Sequence, residues 1–345
     1  MSIRSRQVCR QIGQVLLVTA GLVVLPLPAS SSEHDTQWFA LRNHNPFLQV
    51  YGLPIFQDGT LAADGELRYS VGLDIANHAD AGQAADESIV IDGESYFLAL
   101  SLRYGTSRGM ELGIDLPLLT HTAGILDNAI EDWHDLWSLS NSKRHGPSNQ
   151  LNFSYENQAF SSYELTSQSF GIGDVQLTAA VPLKKPNAQS DSAFALRSSL
   201  KLPTGDEDTL RGSGAIGFSL GLYASDFATF GKRDFRFSGF AGVLLPGKGD
   251  IFPSLQRSAV AFGGFGATWQ MTDKFSVTAQ THIQGSYLDS ELDEIGGGSV
   301  QLAFGGTYRF PRQRSSLTFA LVEDGFSDTT TDVAFHISVR RSRGN

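Results

Sequence analysis

The chain contains little cysteine and little methionine, and its bases are fewer than its acids. One cysteine and three methionines occur in 345 residues, against 36 glycines and 23 phenylalanines. The cysteine, Cys9, precedes an N-terminal apolar run, so a chain cleaved after that run contains none. Such a chain forms neither a disulfide framework nor a thiolate metal site. Abundant glycine and aromatic residues instead favour strands and turns.

The N-terminus has the residue order of a secretory signal. Residues 1–14 include Arg4, Arg6 and Arg10 but no acid, and "VLLVTAGLVVLPL" and "PASSS" follow. This apolar run is shorter than the roughly 20 residues of a membrane-spanning helix, and the pattern is typical of a cleaved signal peptide. We therefore predict Sec-type export with loss of residues 1–30. The mature chain then has 23 bases against 36 acids, a net charge of −13, which argues against nucleic acid as a partner.

Most of the remaining chain alternates between apolar and polar residues. In "FSVTAQTHIQGSY" (275–287) one face carries Phe, Val, Ala, Thr, Ile, Gly and Tyr, and the other carries Ser, Thr, Gln and His. A period of two predicts a strand with one apolar side. Segments such as "ELRYSVGLDIAN" (66–77), "GMELGIDLPL" (109–118) and "TDVAFHISVR" (331–340) repeat the pattern.

The distribution of charge selects between two all-β folds. A soluble sandwich also alternates, but here the apolar rows contain no Lys, Arg, Asp or Glu. A single Arg or Lys facing lipid near the bilayer midplane costs roughly 2–4 kcal/mol, and aromatic residues gather at the two membrane interfaces. Aromatic residues stand near many of the predicted strand ends. We predict an all-β, antiparallel up-and-down transmembrane β-barrel in a bacterial outer membrane.

The connection lengths set the predicted organisation. Residues 31–64 are expected to form an N-terminal periplasmic or plug segment, 65–341 the barrel and 342–345 a tail. The barrel is expected to have about fourteen strands if 150–158 and 163–170 form a hairpin, and twelve otherwise.

Several segments carry a family resemblance. "IDGESYFLALSLRYG" (91–105), "GILDNAIEDWHDLW" (124–137) and "GIGDVQLTAAVPL" (171–183) resemble a bacterial family called domain of unknown function family 3187. The resemblance implies a Gram-negative outer-membrane barrel and carries no established activity. One departure concerns the C-terminus, because many such barrels end on an aromatic residue whereas ten residues follow Phe335 here.

Polar residues on the inner rows are the predicted lining of a pore. Mixed charge there either forms an ion-pair lattice or selects solutes, and both interpretations remain open. The predicted pore-lining residues are Arg68, Asp74, Arg103, Glu111, Asp115, Arg197, Lys201, Arg236, Gln280, His282, Arg309, His336 and Arg340.

The segment 38–56 is apolar but cannot form a regular element, because Pro46 and Pro54 interrupt it. An apolar segment beside the barrel must bury its surface. We predict that it folds into the lumen as a plug, with Trp38, Phe47 and Tyr51 inside.

The stretch 124–139 combines a histidine, acids and tryptophans. At 100° per residue, Ile130, Trp133 and Trp137 share an apolar side of a short helix in a long loop. His134, Asp135 and Glu131 lie on the polar side and are the weak catalytic candidates. A plug or lid helix is the main interpretation and an acid–base or metal site the alternative. Neither a metal nor a cofactor is predicted, since no second histidine lies at ligand spacing.

The predicted function is a narrow or gated channel for small solutes, with hydrophobic and weakly anionic solutes both open. One alternative is an outer-membrane hydrolase, such as a phospholipase, protease or lipid-modifying enzyme, with a rim site near His134. Another is a structural barrel without transport. The expected partners are outer-membrane lipid, lipopolysaccharide and the barrel-assembly machinery, while the oligomeric state is left open.

Overall fold

The computed structural model describes residues 37–124, 150–157, 162–187, 190–226, 235–325, 329–331 and 333–344. Within these ranges the chain forms a single antiparallel sheet of fifteen strands. The strands are β1 (Leu67–Gln83), β2 (Glu87–Gly105), β3 (Glu111–Thr122), β4 (Asn152–Asn157), β5 (Ser162–Leu165), β6 (Ser169–Ile172), β7 (Gln176–Lys184), β8 (Ala193–Lys201), β9 (Gly217–Asp226), β10 (Phe235–Leu245), β11 (Val260–Gln270), β12 (Phe275–Gln284), β13 (Ser299–Phe310), β14 (Ser315–Asp324) and β15 (Val333–Arg343).

Helical structure in the described ranges is confined to short connections. They contain the α-helix α1 (Asp293–Gly296) and 3-10 turns at Gln49–Tyr51, Glu207–Thr209 and Pro311–Gln313. No helix of the described chain is long and apolar enough to cross a membrane. The loop helix predicted over 124–139 lies outside the described residues except for Gly124, and the predicted signal peptide lies outside them as well.

Twelve of the strands close into a ring. β1 pairs with β2 and with β15, from Leu67–Arg343 to Asn77–Val333, so the first and last strands join. From β15 the neighbours follow in order back to β7, which pairs with β3, and β3 pairs with β2. β6 and β7 pair with two successive parts of β3 and together make one interrupted strand of the wall. The predicted all-β up-and-down barrel is confirmed.

The predicted number of about fourteen strands is wrong for the ring, and the alternative of twelve is correct. The hairpin β4–β5 forms, but β4 pairs with Glu87–Asp92 of β2 and does not enter the ring. The reason is length: β2 has 19 residues, whereas about 9–11 span a bilayer. The first residues of β2, Glu87–Asp92, therefore extend past the end of β3 and pair with β4.

Gly93 marks the position where β2 exchanges β3 for β4 as its neighbour. Its φ of 147° lies in a region that other residues rarely adopt. A Cβ at this position would also lie 3.0 Å from the Thr122 carbonyl oxygen at the end of β3. A second difference from the sequence prediction is at the C-terminus, where β15 includes Ser342 and Arg343, which had been assigned to the tail.

The strands bury their polar face and expose their apolar face. In β12 the inward row of Ser, Thr, Gln and His is buried, with Gln280 2% exposed. The outward Ile283 is 47% exposed, as are Leu112 at 47% and Phe304 at 65% in other strands. Arg197, in contrast, is buried. This arrangement is the reverse of a soluble sandwich and suits a wall between lipid and an enclosed interior.

Phe304 lies near the centre of β13 and tests this orientation. We expect Phe304→Arg to destabilise the folded barrel in phospholipid vesicles by roughly 2–4 kcal/mol, because a midplane charge must face hydrocarbon. Urea unfolding measures the change, and Phe304→Leu, which stays apolar, is the control. Equal stability of the two variants would place Phe304 outside the hydrocarbon layer.

Candidate functional site

The interior of the ring is occupied by the N-terminal segment, defined here as residues 37–64. It hydrogen bonds to inward residues of β3, β7, β8, β9, β12, β13 and β15, which lie all around the ring. Trp38, Phe47 and Tyr51 are 7%, 0% and 1% exposed. A segment that contacts the wall on all sides lies inside it, as a plug does.

Wall side chains supply the hydrogen bonds that the segment cannot make to itself. Pro46 and Pro54 prevent a strand, and the segment's internal bonding in its first half is limited to turns such as Gln49–Tyr51. A buried backbone group without a partner costs about 1–3 kcal/mol. The wall residues facing the segment are therefore amides, charged groups and serines.

Gln280 of β12 makes the most complete of these contacts. Its Oε1 accepts a hydrogen bond from the Phe39 N–H at 3.1 Å, and its Nε2 donates to the Phe39 carbonyl at 2.9 Å. One side chain thus pairs with both backbone groups of one residue, as a neighbouring strand would. Gln301 of β13 donates in the same way to the Arg42 carbonyl at 2.7 Å.

The opposite wall holds the second half of the segment. Arg197 of β8 donates to the carbonyls of Asp58 and Thr60 at 3.2 and 2.9 Å. The same guanidinium forms an ion pair with Glu111 at 2.7 Å, and Glu111 accepts the N–H of Ala62 at 2.7 Å. The pair therefore ties two strands and the segment together.

Aromatic packing fixes the side chains of the segment. Phe47 lies 5.3 Å from Phe252, and Tyr51 stacks on Tyr287 at 5.1 Å between ring centroids. Trp38 packs against Gly266 of β11, where a Cβ would come within 2.4 Å of the indole. Glycine at this wall position therefore allows the indole of Trp38 to approach the backbone of β11.

Charged groups of the interior are mostly paired. Arg103 forms two hydrogen bonds with Asp115, at 2.9 and 2.7 Å, and Lys201 pairs with Asp174. Asp74 Oδ1 lies 2.5 Å from His336 Nδ1, and Asp74 Oδ2 lies 3.5 Å from Nε2 of His44 in the segment. The described residues contain no group of three or more His, Cys, Asp or Glu placed to hold a metal ion.

Arg42 differs from the paired cations. Its guanidinium lies over the ring of Phe97 at 4.6 Å from the centroid. Its Nη1 is buried and has no hydrogen-bond partner among the described residues. Arg42 also lines two cavities beside the segment, of about 120 and 40 Å³.

The loop between β8 and β9 covers part of one end of the barrel. Leu210 is fully buried, and its carbonyl lies 3.3 Å from His121 Nε2. Thr209 and Arg211 each donate to Asp206 at 2.6 Å. The Thr209 hydrogen bond and the Arg211 charge hold the pKa of Asp206 below its usual range.

Ser95 lies between two histidines, 2.9 Å from His78 Nε2 and 2.8 Å from His121 Nδ1. The three residues are at most 2% exposed, and Phe153 packs edge-on against both imidazole rings. A substrate cannot reach the hydroxyl in this conformation. The cluster links β1, β2 and β3, and it stabilises the wall.

The structure brings the predicted lining residues together on one face. By strand register, all of them occupy inward rows, although Arg309 sits at the turn end, where it donates to the Asp273 carbonyl at 3.1 Å. Whether they line a conducting pore stays a prediction. Glu111, Arg197 and Gln280 bind the segment, which sequence reasoning did not foresee.

Other predicted residues are not placed by the structure. His134, Asp135 and Glu131 lie outside the described residues, and so do Ile130, Trp133 and Trp137. Sequence reasoning also missed Arg42, His44 and the Ser95 cluster. The polar letters "RNHN" (42–45) within an otherwise apolar segment were the available signal.

The chain belongs to the family described as "Protein of unknown function (DUF3187)", which matches residues 14–342. Its fold is similar to that of the COG4313 outer membrane channel from Pseudomonas putida F1, with a TM-score of 0.55 at 12% identity, covering 84% of this chain and 100% of that one. The Pseudomonas putida toluene transporter TodX matches with a TM-score of 0.37 at 10% identity, over 81% and 89% of the two chains. No curated protein sequence matches the chain.

Gln280 and Gln284 provide a matched test of how the segment is held. Both are buried on β12, but the Gln284 amide has no hydrogen-bond partner in the described chain. We expect Gln280→Leu to weaken attachment of the segment by roughly 2–6 kcal/mol, since it leaves the N–H and the carbonyl of Phe39 buried without a partner at about 1–3 kcal/mol each. Hydrogen exchange of residues 37–42 in detergent measures this.

The control Gln284→Leu should leave that exchange unchanged. If both variants accelerate exchange equally, the loss reflects general loosening of β12, and Gln280 does not hold the segment.

Proposed function

We propose that the protein is an outer-membrane channel for small solutes, closed in this conformation by residues 37–64. The observation that carries the proposal is the position of this segment inside a ring whose outer face is apolar and whose inner face is polar. The similarity to a channel from Pseudomonas putida F1 supports the fold on which the proposal rests.

The way the segment is held supports gating. Besides its apolar packing, the segment is attached by side-chain hydrogen bonds such as those of Gln280, Gln301 and Arg197. Each contributes about 1 kcal/mol, or somewhat more when a charge is involved. The ring is closed by continuous backbone ladders. The segment can therefore detach or shift while the barrel stays intact.

The space left beside the segment supports a low resting conductance. Among the described residues, cavities of about 120, 40 and 20 Å³ lie between the segment and the wall from β15 through β1, β2 and β3 to β9. Pockets that hold drug-sized molecules are several-fold larger, from roughly 300 Å³. Passage of a solute then requires movement of the segment.

The membrane location and partners belong to the same proposal. Export by a Sec-type signal, insertion by the barrel-assembly machinery, and contact with outer-membrane lipid and lipopolysaccharide are its expected consequences. The exposed apolar side chains of the outer face, such as Leu220, Phe265 and Phe304, suit lipid contact.

Conductance across planar bilayers tests the gating. Wild-type protein should give small or rare openings. Deletion of residues 37–56 should give openings several-fold larger, and Gln280→Leu with Gln301→Leu should open more often than wild type. Gln284→Leu is the matched control and should behave as wild type. A deletion variant that folds, judged by its heat-modifiable mobility on gels, yet conducts no more than wild type would contradict the proposal.

A further inference from the structure

We infer that Arg42 forms a binding site for the carboxylate of a small organic acid, at the junction of the two cavities beside the N-terminal segment. The inference rests on the proposed channel function in one respect: it names the class of solute.

Arg42 lies beside two cavities. The 120 Å³ cavity lies between the segment and inward residues of β15, β1, β2 and β3. The 40 Å³ cavity lies farther along β2 and β3, where Pro117 and Leu119 form its wall. Arg42 and Ala99 line both. A solute that moves from one of these spaces to the other therefore passes the Arg42 side chain.

Arginines outnumber acids around the larger cavity. Its lining contains five arginines and three acids, whereas the whole chain carries a net charge of −10. The smaller cavity is balanced, with two arginines and two aspartates. Arg68 and Arg103 are paired with Glu66 and Asp115, which are not part of this lining, and Arg197 is paired with Glu111. Arg42 has no such ion pair in the described chain, so an anion that enters the larger cavity meets a guanidinium without a carboxylate partner.

The nearby acids are already engaged. Asp115 accepts two hydrogen bonds from Arg103, and Glu111 pairs with Arg197. Asp74 is bound by His336 and lies near His44. None of these carboxylates is within ion-pair distance of Arg42 in the described chain. Arg42 is therefore left without a carboxylate partner in the described chain, and its Nη1 has no hydrogen-bond acceptor there.

The geometry of Arg42 favours a carboxylate. The guanidinium carbon of Arg42 lies 4.6 Å from the centroid of the Phe97 ring, and a guanidinium presents its N–H donors along the edge of a planar fork. A planar carboxylate matches that edge with two hydrogen bonds. Phe97, Ala99 and Phe56 add apolar surface for a short carbon chain. An inorganic oxyanion would match the charge but would not use this surface.

Binding to full-length protein in detergent tests the site without requiring conductance. Titration calorimetry with butyrate should show binding to wild type. Arg42→Gln should weaken it about tenfold or more, because a charge-assisted contact is lost. Arg312→Gln, the same change in an exposed turn, should bind butyrate as wild type does.

Three further measurements decide the chemistry. Butyramide, which is neutral and of the same size, should bind at least tenfold more weakly than butyrate, and inorganic phosphate should also bind more weakly. Arg42→Lys keeps the charge without the planar edge, and it should lose most of the preference for butyrate over phosphate. It serves as the second variant if Arg42→Gln does not fold.

Equal binding of butyrate and butyramide would overturn the inference, and so would butyrate binding that survives Arg42→Gln. Phosphate binding as strong as that of butyrate would overturn the assignment of a carboxylate. Failure of the proposed function shows separately, as a deletion variant that does not conduct although full-length protein binds butyrate.

Discussion

Backbone groups of a segment buried inside a closed ring must find hydrogen-bond partners, and this requirement shapes the interior of the protein. Residues 37–64 contain two prolines and make few internal hydrogen bonds. Burying their N–H and carbonyl groups without partners would cost about 1–3 kcal/mol each. Inward side chains such as Gln280, Gln301 and Arg197 avoid this cost because they form hydrogen bonds with those backbone groups. The polar face of the strands is therefore complementary to one particular segment.

The same side chains also connect the ring with its contents. The ion pair between Glu111 and Arg197 links β3 with β8 and binds the segment at Thr60 and Ala62. On the opposite wall, Ala303, Ala320 and other small residues leave room for Phe39 and Leu41. One side is thus packed with apolar contacts, whereas the other keeps small cavities and charged groups. Among the described residues, the small cavities lie on the side of the ring that runs from β15 through β1, β2 and β3 to β9.

The parts of this structure that repeat along the chain could be predicted from the sequence, because a strand imposes a period of two. The alternation alone predicts that Gln280 lies on the polar face of its strand. The restriction of charged residues to one face then distinguishes a membrane barrel from a sandwich. The choice between twelve and fourteen strands did not follow, since β4 alternates as a wall strand does but pairs beyond β3. Irregular segments have no period, so the positions of Arg42 and His44 could not be read from spacing. Burial of the tryptophan Trp38 was predictable because an apolar segment must be covered.

The central claim is that residues 37–64 lie inside the ring, and cysteine accessibility measures it most directly. The mature chain is expected to lack cysteine, so a single introduced thiol reports on its own position. Leu41 is 2% exposed inside the barrel, whereas Ala63 is exposed where the segment leaves it. In protein reconstituted into vesicles, Leu41→Cys should resist a water-soluble maleimide while Ala63→Cys reacts readily. Equal and rapid labelling of both positions would contradict the account.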